Sequence, residues 1–156
     1  MANLFPEGYE YEIITAEDLA AEKPVGYRNG VAFNYEFGDF PRDGMNKMLD
    51  STGIESWESW CINCLQTERY KHLAYPTDFG INLDAALAAS GRDEAENILT
   101  REITEALMAD PYERTDYLEE IDFDWTDPSS VAVSVRIHGV DDVTIDITAY
   151  ITRGEG

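Results

Sequence analysis

Val131-Ala132-Val133-Ser134-Val135-Arg136-Ile137-His138, then Gly139-Val140-Asp141-Asp142, then Val143-Thr144-Ile145-Asp146-Ile147-Thr148-Ala149-Tyr150-Ile151: this stretch decides the fold. Its apolar residues recur at every second position, the period of a strand with one buried face. Gly139 to Asp142 supply turn chemistry between the two runs. Upstream, Leu118, Ile121, Phe123 and Trp125 mark a further strand whose alternation becomes regular only from Ile121. Three consecutive strands joined by short turns predict an antiparallel meander.

Residues 52–109 carry the other period. Thr52 with Glu55 three places on reads as a capping box, and Ile54, Trp57, Cys61, Cys64 and Leu65 follow at helical spacing. Tyr75-Pro76 and Gly80 interrupt the pattern. A short helix fits Leu83–Ala89. A longer one opens with Asp93 and Glu94 at the positive end of its dipole, carries Ala95, Ile98, Leu99, Ile103, Ala106 and Leu107, and stops at Asp110-Pro111.

Nearer the start, Phe33, Tyr35 and Phe37 alternate before Gly38-Asp39, which predicts a hairpin over residues 31–40. Residues 1–24 read as an arm that contacts a partner or is partly ordered, with a strand-like Tyr9–Ile13 and a helical turn at Ala16–Ala21. Residues 25–156 form a single domain. The expected class is α+β: an antiparallel sheet, made of an N-terminal hairpin and a C-terminal three-strand meander, packed against two main helices and one short helix.

The 156 residues include 32 acids and 11 Lys or Arg, a formal charge of −21. The excess is spread: 10 acids to 4 bases over residues 1–50, 10 to 4 over 51–109, and 12 to 3 over 110–156. Such a field repels phosphate backbones and anionic lipid, so nucleic acid and membrane are excluded as main partners. At 44% hydrophobic residues the chain is too apolar for a disordered acidic solubiliser. The opening residues lack a basic, then apolar, leader, and two cysteines make no disulfide framework, so folding in a reducing cytoplasm is expected.

Chemistry-bearing patterns are sparse. Cys61-Ile62-Asn63-Cys64 lies within a helix, not at its start where the dipole lowers a thiol pKa, so both are read as buried structural thiols. A metal site would need further ligands, and only His72 and His138 exist, at no recognisable spacing. Adjacent acids such as Glu119-Glu120 and Asp141-Asp142 are expected by chance among 32, and Asp122 and Asp124 read as a solvated strand face. We expect no catalytic residue, no metal and no cofactor. Two binding features remain. Thr67-Glu68-Arg69-Tyr70-Lys71-His72-Leu73-Ala74-Tyr75 gathers aromatic and charged residues, with Glu68 and Arg69 able to form a buried polar pair. The last strand, long and regular, is a candidate edge for β-augmentation.

Val25-Gly26-Tyr27-Arg28 with Phe33–Phe40, and Trp57, Trp60-Cys61 and Leu65-Gln66-Thr67-Glu68-Arg69-Tyr70 continuing to Leu73, Tyr75 and Gly80, form a set with the Asp110-Pro111 stop and the final strands. Together they resemble the small baseplate wedge proteins, or sheath initiators, of contractile-tailed phages and phage-like elements of Gram-positive bacteria, sometimes labelled lysozyme-like. The resemblance runs from about residue 25 to 151. Trp57, Thr67, Glu68, Arg69, Tyr70 and Pro111 are its motif residues. It departs from the family at Asp110-Pro111-Tyr112, where Glu-Pro-Arg is common; Arg114 is the candidate replacement arginine.

The resemblance implies a noncatalytic virion protein, present in several copies around the tail baseplate. Its implied partners are the tail sheath protein and larger wedge proteins, with the tail tube as a further candidate. Residues 131–151 would be the sheath-facing hairpin, with Val143, Ile145, Ile147, Ala149 and Ile151 on the partner-binding strand. The competing readings are a baseplate-associated peptidoglycan hydrolase and an acidic inhibitor protein.

Overall fold

The computed structural model describes residues 26–34, 37–125, 127 and 130–152. The expected N-terminal arm, including Tyr9–Ile13 and Ala16–Ala21, lies outside them. The elements in order are β1 (Gly30–Val31), β2 (Asp50–Ser51), α1 (Gly53–Gln66), α2 (Asp84–Leu87), α3 (Arg92–Met108), β3 (Thr115–Asp124), β4 (Ser130–Gly139) and β5 (Thr144–Thr152). β3, β4 and β5 form an antiparallel meander in that order, and β1 pairs with β2 in a separate two-stranded sheet. The class is α+β as expected.

Helix α1 starts where its cap dictates. The Glu55 amide donates to Thr52 Oγ1 at 3.2 Å and the Thr52 amide donates to Glu55 Oε2 at 2.8 Å, closing both halves of the box. The helix packs on β5, and α3 packs on β3. Between the layers lie Trp57, Cys61, Cys64 and Leu65 from α1, and Leu99, Ile103, Ala106 and Leu107 from α3. They meet the inward residues Val131, Val133, Val135 and Ile137 of β4 and Ile145, Ile147, Ala149 and Ile151 of β5. Trp57 is fully buried, its indole N–H donating to Thr115 Oγ1 at 3.2 Å. Ile54 departs from the expected stripe and stands 40% exposed.

The irregular start of β3 has a structural cause. Its register with β4 shifts between Thr115 and Tyr117 and again between Leu118 and Glu120, then runs unbroken from Glu120 to Asp124. Each shift flips the inward parity, so alternation holds only beyond the second. Tyr27 closes this same end of the sheet: its ring lies 5.5 Å from that of Trp57, and its hydroxyl donates to the Val140 carbonyl at 2.8 Å. A Cβ on Gly139 would come within 2.6 Å of the Trp57 ring, so this position has room for hydrogen alone.

The N-terminal hairpin differs from expectation. Gly38 does sit in a turn, with φ of 67°, and its amide donates to the Asn34 carbonyl at 2.8 Å. The turn closes on an Asn34–Asp39 bridge, however, and the strand pairing is Gly30 with Ser51 and Val31 with Asp50. The Asn34 side chain accepts the Phe37 amide at 3.1 Å, so local side-chain bonding takes the place of a ladder. Phe37 points to solvent at 79% exposure, Phe33 instead meets Phe40 edge to face at 5.1 Å, and Tyr35 lies outside the described residues.

Candidate functional site

The last strand has a neighbour on one side. Among the described residues, β5 pairs with β4 alone. Its register is unbroken from His138–Thr144 to Ser130–Thr152. The Gly139 amide donates to the Val143 carbonyl at 2.7 Å, which makes Gly139–Val143 the first hydrogen-bonded pair of the ladder. Hydrogen-bonded and non-bonded pairs alternate in an antiparallel ladder, so Ile145, Ile147, Ala149 and Ile151 also turn their main-chain groups toward β4. The N–H and C=O groups of Thr144, Asp146, Thr148, Tyr150 and Thr152 therefore face the open side.

This parity separates two roles within one strand. Ile145, Ile147, Ala149 and Ile151 have buried side chains in the core, and Val143 is half-buried against it. They hold β5 flat on α1. The outward main-chain groups belong to the intervening residues, which sequence reading did not single out. The signal was present, because the turn fixes which parity pairs with β4. The other sheet edge, β3, is interrupted by its two register shifts, whereas β5 offers nine residues without bulge, proline or lysine.

The motif residues serve architecture. Thr67 caps the end of α1, its hydroxyl donating to the Asn63 carbonyl at 2.6 Å and its carbonyl accepting the Ile81 amide at 2.9 Å. Arg69 does not pair with Glu68. Its Nε donates to the Gly80 carbonyl at 3.1 Å, and its guanidinium reaches Glu102 at 3.8 Å and Glu105 at 3.5 Å on α3. Glu68 instead holds Lys71 at 2.7 Å. The expected pair fails because the chain turns between the two: Arg69 follows the Thr67–Ile81 crossing inward, and adjacent residues on such extended backbone point apart. Tyr70 stands exposed in left-handed backbone, with φ of 70°. Pro111 is exposed immediately after α3, and Arg114 is buried in a double hydrogen bond with Asp110.

Among the described residues the remaining titratable groups give no reacting constellation. Burial pushes the Cys61 thiol well up and the Cys64 thiol up to about 11, the reverse of nucleophile activation. Glu119 lies 2.6 Å from His138 Nε2, and Glu120 lies 4.0 Å from Arg136, both on the exposed sheet face. A glycosidase pair needs one carboxyl desolvated in a cleft; these two are half or more exposed. Among the described residues no three His, Cys, Asp or Glu side chains gather as a metal site, and no helix is long and apolar enough to cross a membrane.

Curated proteins give no match to the chain. The family model for the contractile injection system sheath initiator matches residues 30–142, from β1 through the turn that precedes β5. That span holds the capped helix, the Thr67–Arg69 crossing, the Asp110-Pro111 stop and two strands of the meander. The chain belongs to the contractile injection system sheath initiator family, structural components of the contractile tail baseplate.

Proposed function

We propose that this protein starts sheath assembly by lending the open edge of β5 to an extended segment of a sheath subunit. The carrying observation is the edge itself: nine residues in continuous register, held from beneath by α1, with the main-chain groups of Thr144, Asp146, Thr148, Tyr150 and Thr152 turned outward and without a partner strand among the described residues. Affinity then comes from main-chain hydrogen bonds, and side chains on the open face set the preference. That face carries Asp146 beside Arg136 and Glu120, within a chain of net charge −21, so the docking segment and its surroundings should be basic. Mutual repulsion keeps initiators apart until larger baseplate proteins position several of them around the tail.

Amide hydrogen exchange tests the edge. In the free protein, the amides of Thr144, Asp146, Thr148 and Tyr150 should exchange fast, and those of Ile145, Ile147 and Ala149 slowly. Adding sheath protein should slow the first group selectively. Protection appearing elsewhere, with these four unchanged, would move the docking site off β5.

A further inference from the structure

A second surface lies away from β5. Tyr75, Phe79 and Trp60 form a row of rings, with centroids 4.7 Å apart for the first pair and 5.9 Å for the second. They wall an open groove of about 740 Å³ whose other sides are Pro76, Met108 and Pro111. Tyr75 is 50% and Met108 47% exposed, so the apolar lining is presented to solvent. The groove is held in shape from behind. Arg114 lies 5.8 Å from the Trp60 ring and is fixed by Asp110, while Gly80, next to Phe79, is pinned by Arg69. No residue of β5 contributes to it.

Its charge is one-sided. Asp78 and Glu113 line it, Asp110 beside them is buried against Arg114, and among the described residues no Lys or Arg lines it. The Arg114 guanidinium behind Trp60 is occupied by Asp110. Aromatic grooves of this kind accept extended proline-containing segments, whose backbone is already ordered and repeats every roughly 9 Å. The acidic wall selects positive charge on the occupant.

We infer that this groove docks an extended segment rich in proline and arginine or lysine from a neighbouring protein of the particle, giving the chain an anchoring surface separate from its sheet edge. The inference does not depend on the β5 reading. The rings bind the apolar side chains of the segment, and Asp78 faces its cations.

The test is a nuclear magnetic resonance titration of the full chain with the nonapeptide (Pro-Pro-Arg)3. The expected result is movement of the Trp60 indole N–H and the Phe79 and Met108 amides. Binding should be at least tenfold weaker for (Pro-Pro-Glu)3, for Asp78→Lys and for Tyr75→Ala. Asp78 and Tyr75 are exposed, and unchanged signals from β4 and β5 will show that each variant is folded. Thr148→Pro, which alters β5, should bind the peptide as the parent does. Equal binding of both peptides, shifts confined to other surfaces, or no shifts at millimolar peptide would overturn the inference. Movement of the same signals with chitohexaose but not with (Pro-Pro-Arg)3 would overturn it in favour of a glycan site.

Discussion

Arg114 grips Asp110 with two donors: Nε to Oδ2 at 2.8 Å and Nη2 to Oδ1 at 2.9 Å, with both residues about 4% exposed. The Arg114 amide adds a third bond to Oδ2 at 2.9 Å, and the Arg114 carbonyl accepts the Val140 amide at 2.9 Å. One residue thus ties the end of α3 to the β4–β5 turn. Its guanidinium is spent inside the molecule, between Asp110 and the Trp60 and Tyr112 rings.

Removing one partner of this pair strands a buried charge. Asp110→Ala should cost about 3–5 kcal/mol in urea unfolding, the usual loss for a broken buried pair. Asp110→Ala combined with Arg114→Met should recover much of that loss, since no lone charge remains. A double variant no more stable than the single would show that the hydrogen bonds to the backbone dominate.

The Thr67–Ile81 crossing makes a second prediction. Gly80 has φ of 94°, and a Cβ there would stand 2.7 Å from the Thr67 carbonyl oxygen. Gly80→Ala should therefore destabilise by more than about 1 kcal/mol, measured by thermal or urea unfolding. At Gly44, where a Cβ meets nothing within 4 Å, the same change should be nearly silent.

These two sites show where sequence reading reaches and where it stops. The parity of Val131–Ile137 and Ile145–Ile151, the Thr52–Glu55 cap and the stripe of α3 were all legible, because each is set by neighbours two to four residues apart. Arg69 finds Glu102 some thirty residues on, and no local spacing announces that contact. The hairpin expected over residues 31–40 closes only on the Asn34–Asp39 bridge because Asn34 bonds its own turn, and β1 pairs with a strand beyond the loop. At the candidate site the strand was legible. Which of its residues turn their main-chain groups outward was missed, since the apolar residues drew attention although the outward main-chain groups lie between them.

Alkaline pH gives a third prediction. Cys61 and Cys64 have thiol pKa values raised above the ordinary 9.0 by burial, and Tyr27 is raised by burial and by Asp141. The folded chain then keeps protons that the unfolded chain releases, so stability falls as pH rises from about 9 toward 11. Urea midpoints across that range should drop. The thiols should resist alkylation at pH 8 until the protein unfolds, and rapid alkylation of the native protein would contradict their burial.

Association with the baseplate or sheath should weaken with salt. Surface charge is screened within about 8 Å at physiological ionic strength, and the initiator supplies a net −21. Affinity unchanged between low and high salt would remove charge from the docking account.

The most direct measurement uses Thr148→Pro. Thr148 sends its amide to the open side, so proline removes an outward donor and leaves the main-chain ladder to β4 intact, losing only the exposed Thr148–Ser134 hydroxyl contact at 3.2 Å. The variant should fold, with unfolding within about 1 kcal/mol of the parent, as for most exposed substitutions. Particles assembled with it should show complete baseplates without sheath in electron micrographs. Normally sheathed tails carrying folded Thr148→Pro would contradict strand addition at β5.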